Sequence, residues 1–288
     1  MCDGTGLNPF REAHRDRFFD VGIAEEHALT FAAGLAANGM RPFVAIYSSF
    51  LQRGYDNVLH DIALQNLPVT ICIDRAGINA CDGATHHGIF DVAFLSEIPG
   101  IKIYVPATLG ALDTALREAH EMNAPCAVRY PSGTENSRIV SEFYPYGEPS
   151  SLGARCNYDL NTGEPDAVII THGRIAAEAL KAADILKSKG KNTGIILLEI
   201  LKPYDETAGR IEDLLPRGKA TVLFLEEEIR NGGMGMILAD KLSGREVMGN
   251  KNVKILAVDD NFVRPKKGET VYTAAGVSAE DIVRAING

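Results

Sequence analysis

The sequence predicts an α/β fold built from two open, mostly parallel sheets with helices on both faces. The first observation is that short apolar runs typical of buried strands alternate, along most of the chain, with segments of helical periodicity. The second is size, because 288 residues, 45% hydrophobic and 23% charged, suffice for two domains with separate cores. We therefore expect a first domain over residues 1–140, a linker over 141–165 and a second domain over 166–288.

The first domain is organised around the segment 18–30. Residues 18–21 have the apolar character of a short buried strand, Gly22 predicts a turn, and a helix is expected from Glu25 onward. Glu25 and Glu26 then fall on the first turn of this helix, where acidic side chains commonly offset the helix dipole by less than about 1 kcal/mol. Capping is one interpretation of this pair, and a functional site is the other.

The rest of the first domain continues the alternation of strands and helices. A helix over residues 48–63 has its core residues on one face, whereas Phe50, Arg53 and Asn57 form a separate face. A lone Phe50 is more often a core residue, but its place beside Arg53, one turn after Tyr47, favours a site. Strands are expected at 42–46, 68–74, 102–105 and 125–130, and a further helix at 108–122.

The second domain shows a similar pattern without a catalytic constellation. The segment 132–165 before it is rich in Ser, Gly, Pro and Asn, lacks periodicity and is expected to be an ordered linker. Gly232, Gly233 and Gly235 open a helix but lack the order of a dinucleotide fingerprint, so they predict tight packing of that helix on a strand. Strands are expected at 167–173, 193–200, 221–228 and 254–260, and a helix at 175–188.

Polar side chains follow the carboxyl ends of the predicted strands in the first domain. They are the carboxylate of Glu25, the phenol of Tyr47 and the guanidinium groups of Arg75 and Arg129. Ligands of open α/β sheets bind beyond the carboxyl ends of the strands. Paired arginines suit a phosphate dianion, because each guanidinium donates two hydrogen bonds at fixed geometry. These residues therefore predict a site at this edge of the sheet.

The glycine-rich loop after Arg75 contains Asp82, His86 and His87 close together. Such a group could supply two or three ligands of a metal ion. No further ligand pair at a recognisable spacing accompanies it, however, and loop histidines are often only hydrogen-bonded polar residues. A binding or proton-transfer role for His86 is the favoured interpretation.

Composition excludes several classes of partner. The net charge of −9 disfavours binding to nucleic acid or to an anionic membrane. No apolar run approaches the roughly 18 residues of a membrane span, and no basic-then-apolar leader is present, so the cytoplasm is the expected location. The five cysteines are scattered and form no CxxC pair, which argues against a zinc site and a disulfide framework.

Five segments together resemble the 1-deoxy-D-xylulose-5-phosphate synthases, which are thiamin diphosphate enzymes of the transketolase superfamily. The segments are FFDVGIAEEHA, AIYSSFLQRGYDNVLHD, LPVTICIDRAG, DGATHHG and AVRYP. The resemblance implies a pyrimidine-binding domain over residues 1–140 and, more loosely, a transketolase-type C-terminal domain. It also implies decarboxylation of pyruvate, addition of the two-carbon unit to glyceraldehyde 3-phosphate, and a homodimer. The protein would supply orientation and electrostatics to the cofactor.

The resemblance also implies roles for particular residues. Glu25 matches the catalytic glutamate that hydrogen-bonds the aminopyrimidine ring, and Phe50 matches the ring that stacks on it. Arg53 lies one helical turn beyond Phe50 and would line the same side of the cofactor site. Asp82 and His86 match catalytic residues of the loop that lines the substrate channel.

The substrate-binding residues implied in the same way are Tyr47, Arg75 and Arg129, which would hold the phosphate of glyceraldehyde 3-phosphate. Ser132, after RYP, stands where a basic residue is expected. The first strand of the pyrimidine-binding domain is also expected to be missing.

A further departure concerns the diphosphate of the cofactor. The GDG motif and following asparagine, which hold the diphosphate and Mg²⁺ in the family, have no counterpart here, and the nearest approach is the segment 81–83. We expect half of a thiamin diphosphate site, negligible turnover by this chain alone, and Mg²⁺ held by an absent N-terminal domain. The alternatives are the smaller chain of a split two-chain thiamin enzyme and a catalytically silent fragment for dimerisation or regulation.

Overall fold

The protein consists of two five-stranded sheets with helices packed around them. The structure is a computed structural model, and it describes residues 2–79, 83–147 and 149–288. The predicted α/β class with two open, mostly parallel sheets is confirmed. The strands are β1 Phe43–Tyr47, β2 Thr70–Asp74, β3 Lys102–Tyr104, β4 Cys126–Arg129, β5 Ala154–Cys156, β6 Ala167–His172, β7 Thr193–Leu198, β8 Ile200–Lys202, β9 Ala220–Ile229 and β10 Lys251–Val258.

Strand β8 lies between β7 and β9 in the sequence but belongs to the first sheet. The first has the order β1-β2-β4-β3-β8 and the second the order β10-β9-β6-β7-β5. Neighbouring strands are parallel except at one edge of each sheet, where β8 runs antiparallel to β3 and β5 runs antiparallel to β7. Only Glu199 separates β7 from β8, so the chain passes from the second sheet directly into the first.

The helices follow most of the predicted positions. The predicted helix over 48–63 is divided into short α, 3₁₀ and π segments, the last over Val58–Ala63. Gly54 lies at this division, where a β-carbon would come 2.2 Å from Leu29 Cδ1 on the neighbouring helix. The α-helices are α1 Asn8–Ala13, α2 Glu25–Ala37, α3 Ser48–Leu51, α4 Tyr55–Asn57, α5 Asp91–Ser96, α6 Leu109–Glu121, α7 Ser137–Phe143, α8 Ala176–Ser188, α9 Tyr204–Leu214, α10 Met234–Ser243, α11 Val271–Ala275 and α12 Ala279–Asn287.

One sequence prediction about the architecture was wrong. Residues 18–21 form no strand, because no strand of the described ranges pairs with this segment. Phe19 is 56% exposed, with its ring edge-on to Phe31 at 5.3 Å. The segment 132–165, which was predicted to be an ordered linker, contains α7 and β5. Strand β5 extends the second sheet. A strand of three residues is too short to show an alternating pattern.

An apolar cluster is continuous between the two sheets. One buried cluster includes Val44 and Ile103 of the first sheet together with Val168 and Phe224 of the second. Among the described residues, no helix combines the length and the apolar character needed to cross a membrane. Because the two sheets share this apolar cluster, they pack as one body, and we call the region where they meet the seam. The loop that follows β2 contacts β9 there.

Candidate active site

Glu25 is a buried carboxylate at the start of α2. The residue is 4% exposed, and its Oε2 lies 3.3 Å from Nη1 of Arg53. Its Oε1 is buried without a hydrogen-bond partner in the part of the chain that the structure describes. The N-cap residue of α2 is Ala24, which forms no side-chain cap, and the Glu25 carboxylate faces Arg53. A buried acceptor with an open lone pair fits a ligand that donates a hydrogen bond.

An aromatic wall extends from this carboxylate. The rings of Tyr47 and Phe50 stack at 5.4 Å with an interplanar angle of 28°, and the imidazole of His86 lies 5.5 Å from Phe50. The guanidinium of Arg53 lies 5.5 Å from the centroid of Phe50. Phe50 therefore contacts Tyr47, His86 and Arg53 as well as packing against the core.

Arg75 continues the wall beyond Tyr47. Its guanidinium carbon lies 3.8 Å from the centroid of the Tyr47 ring, and Nη1 donates to Asp74 Oδ2 at 2.8 Å and to the Gly4 carbonyl at 3.0 Å. Burial raises the pKa of Asp74, although the neighbouring Arg75 opposes that rise. Arg75 has a φ of 58°, which is unusual for a residue other than glycine and is found preferentially at functional sites.

Arg129 lies apart from this wall, inside the seam between the sheets. It is 4% exposed, and its Nε and Nη2 contact the two carboxylate oxygens of Asp91 at 2.8 and 3.1 Å. Nη1 lies 2.6 Å from Glu228 Oε1, and Nη2 also donates to the Gly88 carbonyl at 3.3 Å. This geometry argues against the expected phosphate-binding role, because all three guanidinium nitrogens already face carboxylate or carbonyl oxygens.

The predicted loop residues have different environments. Asp82 lies outside the described residues. His87 is 5% exposed, and its Nδ1 accepts a hydrogen bond from the backbone N–H of Asn79 at 3.0 Å. Burial lowers the pKa of His87. His87 therefore stabilises the loop, whereas His86 faces the aromatic wall.

Three consecutive buried glutamates at the end of β9 were not predicted as functional residues. Glu226 accepts hydrogen bonds from the backbone N–H groups of Met234 and Gly235, at 2.7 and 2.9 Å. Glu227 accepts a hydrogen bond from the backbone N–H of Ile78 in the first domain, and Glu228 forms an ion pair with Arg129. The available sequence signal was a run of three carboxylates flanked directly by Leu225 and Ile229 in a mostly apolar strand.

This cluster also contains three side chains that could hold a cation. Ligand atoms of His172, Glu226 and Glu228 lie within 4.8 Å of one another. Both oxygens of Glu226 already accept backbone hydrogen bonds, and the guanidinium of Arg129 supplies the positive charge beside Glu228. The arrangement therefore does not fit a metal ion.

The predicted tight packing of the glycine-rich helix start is confirmed. A β-carbon on Gly233 would lie 2.6 Å from the Ile229 carbonyl, and one on Gly235 would lie 2.9 Å from Ile255 Cγ2. The N–H groups at the start of α10 bind Glu226 of the same domain.

The raised pKa values of two glutamates of β9 lead us to expect that the protein loses stability as the pH rises. Burial and the charge of Glu228 raise the pKa of Glu226 to about 8 and that of Glu227 to about 7. Burial acts in the same direction on Glu228, but Arg129 and His172 outweigh it and lower that pKa to about 2. Glu226 and Glu227 bind protons in the folded state that the unfolded chain has released, so stability falls as the pH rises through their folded pKa values.

Denaturant unfolding at about pH 5.5 and about pH 8.5 measures this loss. The midpoint should fall at the higher pH, and Glu226→Gln should reduce the difference because it removes the group with the highest pKa. An equal difference in the wild type and the variant would contradict the assignment.

Comparison with known families agrees with this architecture. The pyrimidine-binding domain of transketolase matches residues 1–135, and the transketolase C-terminal domain matches residues 158–282. The chain therefore belongs to the transketolase family.

Within that family, the curated relatives are 1-deoxy-D-xylulose-5-phosphate synthases, which confirms the resemblance found in the motifs. The relative from Clostridium perfringens (strain SM101 / Type A) is 40% identical over 287 residues, covering 98% of this chain and 44% of the relative. The relative from Nitratidesulfovibrio vulgaris (strain DP4) is 38% identical over 286 residues, covering 99% of this chain and 43% of the relative. The chain thus spans less than half the length of the curated relatives it matches.

Two solved structures show the same fold. A split-gene transketolase, described as an inactive β4 tetramer, matches with a TM-score of 0.80 and 27% identity, covering 99% of this chain and 87% of that one. A Pichia stipitis transketolase matches with a TM-score of 0.74 and 18% identity, covering 92% of this chain and 36% of that one.

Proposed function

We propose that this chain supplies the pyrimidine-binding half of a thiamin diphosphate site in a 1-deoxy-D-xylulose-5-phosphate synthase. The observation that carries the proposal is Glu25, whose buried carboxylate has one oxygen beside Arg53 and the other open. That open oxygen suits a hydrogen bond to the aminopyrimidine ring, and Phe50 supplies an aromatic face beside it. Bound thiamin diphosphate would supply the carbanion chemistry, while the chain would orient the ring and exclude water.

The diphosphate and Mg²⁺ would be bound outside these 288 residues. Within the described ranges, the cluster of His172, Glu226 and Glu228 does not fit Mg²⁺, because Arg129 already supplies the positive charge beside Glu228. The curated relatives are more than twice as long as this chain, which leaves room for a diphosphate-binding domain. We propose that this domain, joined to the chain or supplied by a partner, completes the site, and that the assembled enzyme is a homodimer.

The substrates would be pyruvate and glyceraldehyde 3-phosphate. Tyr47 and Arg75 would bind the phosphate, because they lie together on the wall and Arg75 is an obligate cation. His86 would contact the aldehyde substrate from the loop. Arg129 would act from a distance, since it holds the Gly88 carbonyl and Asp91 in place.

A chimera tests the proposed function. The part of the Clostridium perfringens synthase that this chain does not match is joined to residues 1–288 and assayed with pyruvate, glyceraldehyde 3-phosphate, thiamin diphosphate and Mg²⁺. The chimera should form 1-deoxyxylulose 5-phosphate, and the 288-residue chain alone should not. A folded chimera that binds thiamin diphosphate but forms no product would overturn the proposal.

Substitution of Arg75 by alanine should separate the two substrates. We expect KM for glyceraldehyde 3-phosphate to rise roughly 10- to 100-fold, which is the worth of a charge-assisted hydrogen bond, with little change in pyruvate decarboxylation. Steady-state kinetics of the chimera measure both. Arg41→Ala is the matched control, because Arg41 also donates to backbone carbonyls but lies on the amino side of β1. Equal losses for both substrates would place Arg75 elsewhere in the mechanism.

The second candidate is the smaller chain of a split two-chain thiamin enzyme. The similarity to a split-gene transketolase chain along 87% of that chain favours it. Intact-mass spectrometry of the complex purified from source cells distinguishes the two arrangements. A 31.1 kDa species together with a second polypeptide supports the split enzyme, whereas one longer chain supports a single-chain synthase.

A further inference from the structure

The loop that carries His86 is closed at its base by the backbone. It connects β2 to α5, and its described limbs are residues 75–79 and 83–90. Gly77 and Gly88 exchange two backbone hydrogen bonds of 2.8 Å each, which join the two limbs. The position of the two described limbs therefore depends on what holds this closed base.

The second domain contacts both limbs at that base. Glu227, which is 4% exposed, accepts a hydrogen bond from the backbone N–H of Ile78 at 2.9 Å. Two residues further along β9, the backbone N–H of Ile229 donates to the Ile89 carbonyl at 2.8 Å. The end of β9 thus binds one limb through a carboxylate and the other through its backbone.

The first limb approaches Glu227 so closely that only glycine fits. A β-carbon at Gly77 would lie 2.3 Å from the carboxyl carbon of Glu227. Gly77 also has a φ of 84°, which disfavours other residues. The contact is therefore specific on both sides, with a buried carboxylate in one domain and a glycine in the other.

We propose that Glu227 is a positioning residue that fixes this loop from the C-terminal domain, so that Arg75 and His86 meet the substrate in the productive geometry. A displacement of about 1 Å in such a group can cost roughly 100-fold in rate. The identity of the substrate rests on the proposed function, whereas the effect of Glu227 on the loop does not.

Hydrogen exchange of the 288-residue chain tests the positioning directly. Glu227→Ala should accelerate exchange of the Ile78 amide by at least about 10-fold, because its acceptor is lost, while Glu227→Gln should stay within about threefold of the wild type. Glu178→Ala is the matched control, since Glu178 is another buried glutamate that accepts one distant backbone N–H, from Ala279 at 3.0 Å. Unchanged exchange in Glu227→Ala, or equal acceleration in the control, would overturn the proposal.

Gly77→Ala approaches the same contact from the loop and should also accelerate exchange of the Ile78 amide. In the chimera, Glu227→Ala should raise KM for glyceraldehyde 3-phosphate at least about 10-fold and change pyruvate decarboxylation less than about threefold. Equal effects on both would contradict a positioning role. If the wild-type chimera makes no product, the proposed function fails, and the exchange measurement still decides whether Glu227 fixes the loop.

Discussion

Replacing Glu25 with alanine in the assembled enzyme should lower pyruvate decarboxylation and formation of 1-deoxyxylulose 5-phosphate together, by roughly 100- to 10,000-fold. The reason is that Glu25 would act on the cofactor before either substrate reacts. Its buried carboxylate has one oxygen held by Arg53 and one open oxygen, so alanine removes the acceptor without a substitute nearby. Steady-state assays of the chimera with both substrates measure the loss.

Glu26→Ala provides the control for this experiment. Glu26 occupies the next position of α2 and is exposed, so it shares the helix dipole but not the site. It should retain activity within about threefold of the wild type, since an exposed first-turn carboxylate is worth less than about 1 kcal/mol. Substantial decarboxylation by the Glu25 variant, with the cofactor bound, would remove Glu25 from the catalytic role.

Replacing Arg129 with methionine should lower the free energy of unfolding by about 3 to 5 kcal/mol, because two carboxylates lose their buried cation. Asp91 and Glu228 are both 0% exposed, and neither could be rehydrated without opening the seam between the sheets. Denaturant unfolding of the 288-residue chain measures this change without requiring catalysis.

The control for Arg129 is Arg117→Met. Arg117 pairs with Asp113 on the surface of α6, where the two side chains are 75% and 57% exposed. Its removal should change the free energy of unfolding by less than about 0.5 kcal/mol. A comparable small change for Arg129 would mean that the buried carboxylates take up protons instead, and that the ion pair contributes little.

The sequence predicted Tyr47 and Arg75 as site residues because the end of a strand is a local property of the chain. Tyr47 and Arg75 end adjacent parallel strands, and parallel strands place their carboxyl ends at one edge. Arg129 also ends a neighbouring strand, but its guanidinium faces buried carboxylates and not the aromatic wall. Its environment is set by Asp91 and by Glu228, which reaches it from a separate sheet.

Contacts between distant segments explain the other differences too. The apolar residues Phe18, Phe19 and Val21 were expected to be buried in a strand. Burial in a sheet needs a pairing strand, and none lies beside them in the described structure. Glu227 carries no signal of its contact with Ile78, because the partner is a backbone N–H. Side-chain patterns predict elements and faces, whereas contacts of this kind depend on how the two sheets meet.

The passage of the chain from β7 into β8 has a consequence for how such enzymes are recombined. Because β8 pairs with β3, the outer edge of the first sheet is encoded after residue 199, downstream of the whole predicted linker. A crossover at 141–165 between two relatives would therefore combine the body of one sheet with the edge strand of another. The exchangeable unit is the entire pair of sheets, and gene fusions that respect it should yield more soluble hybrids than those cut at the linker.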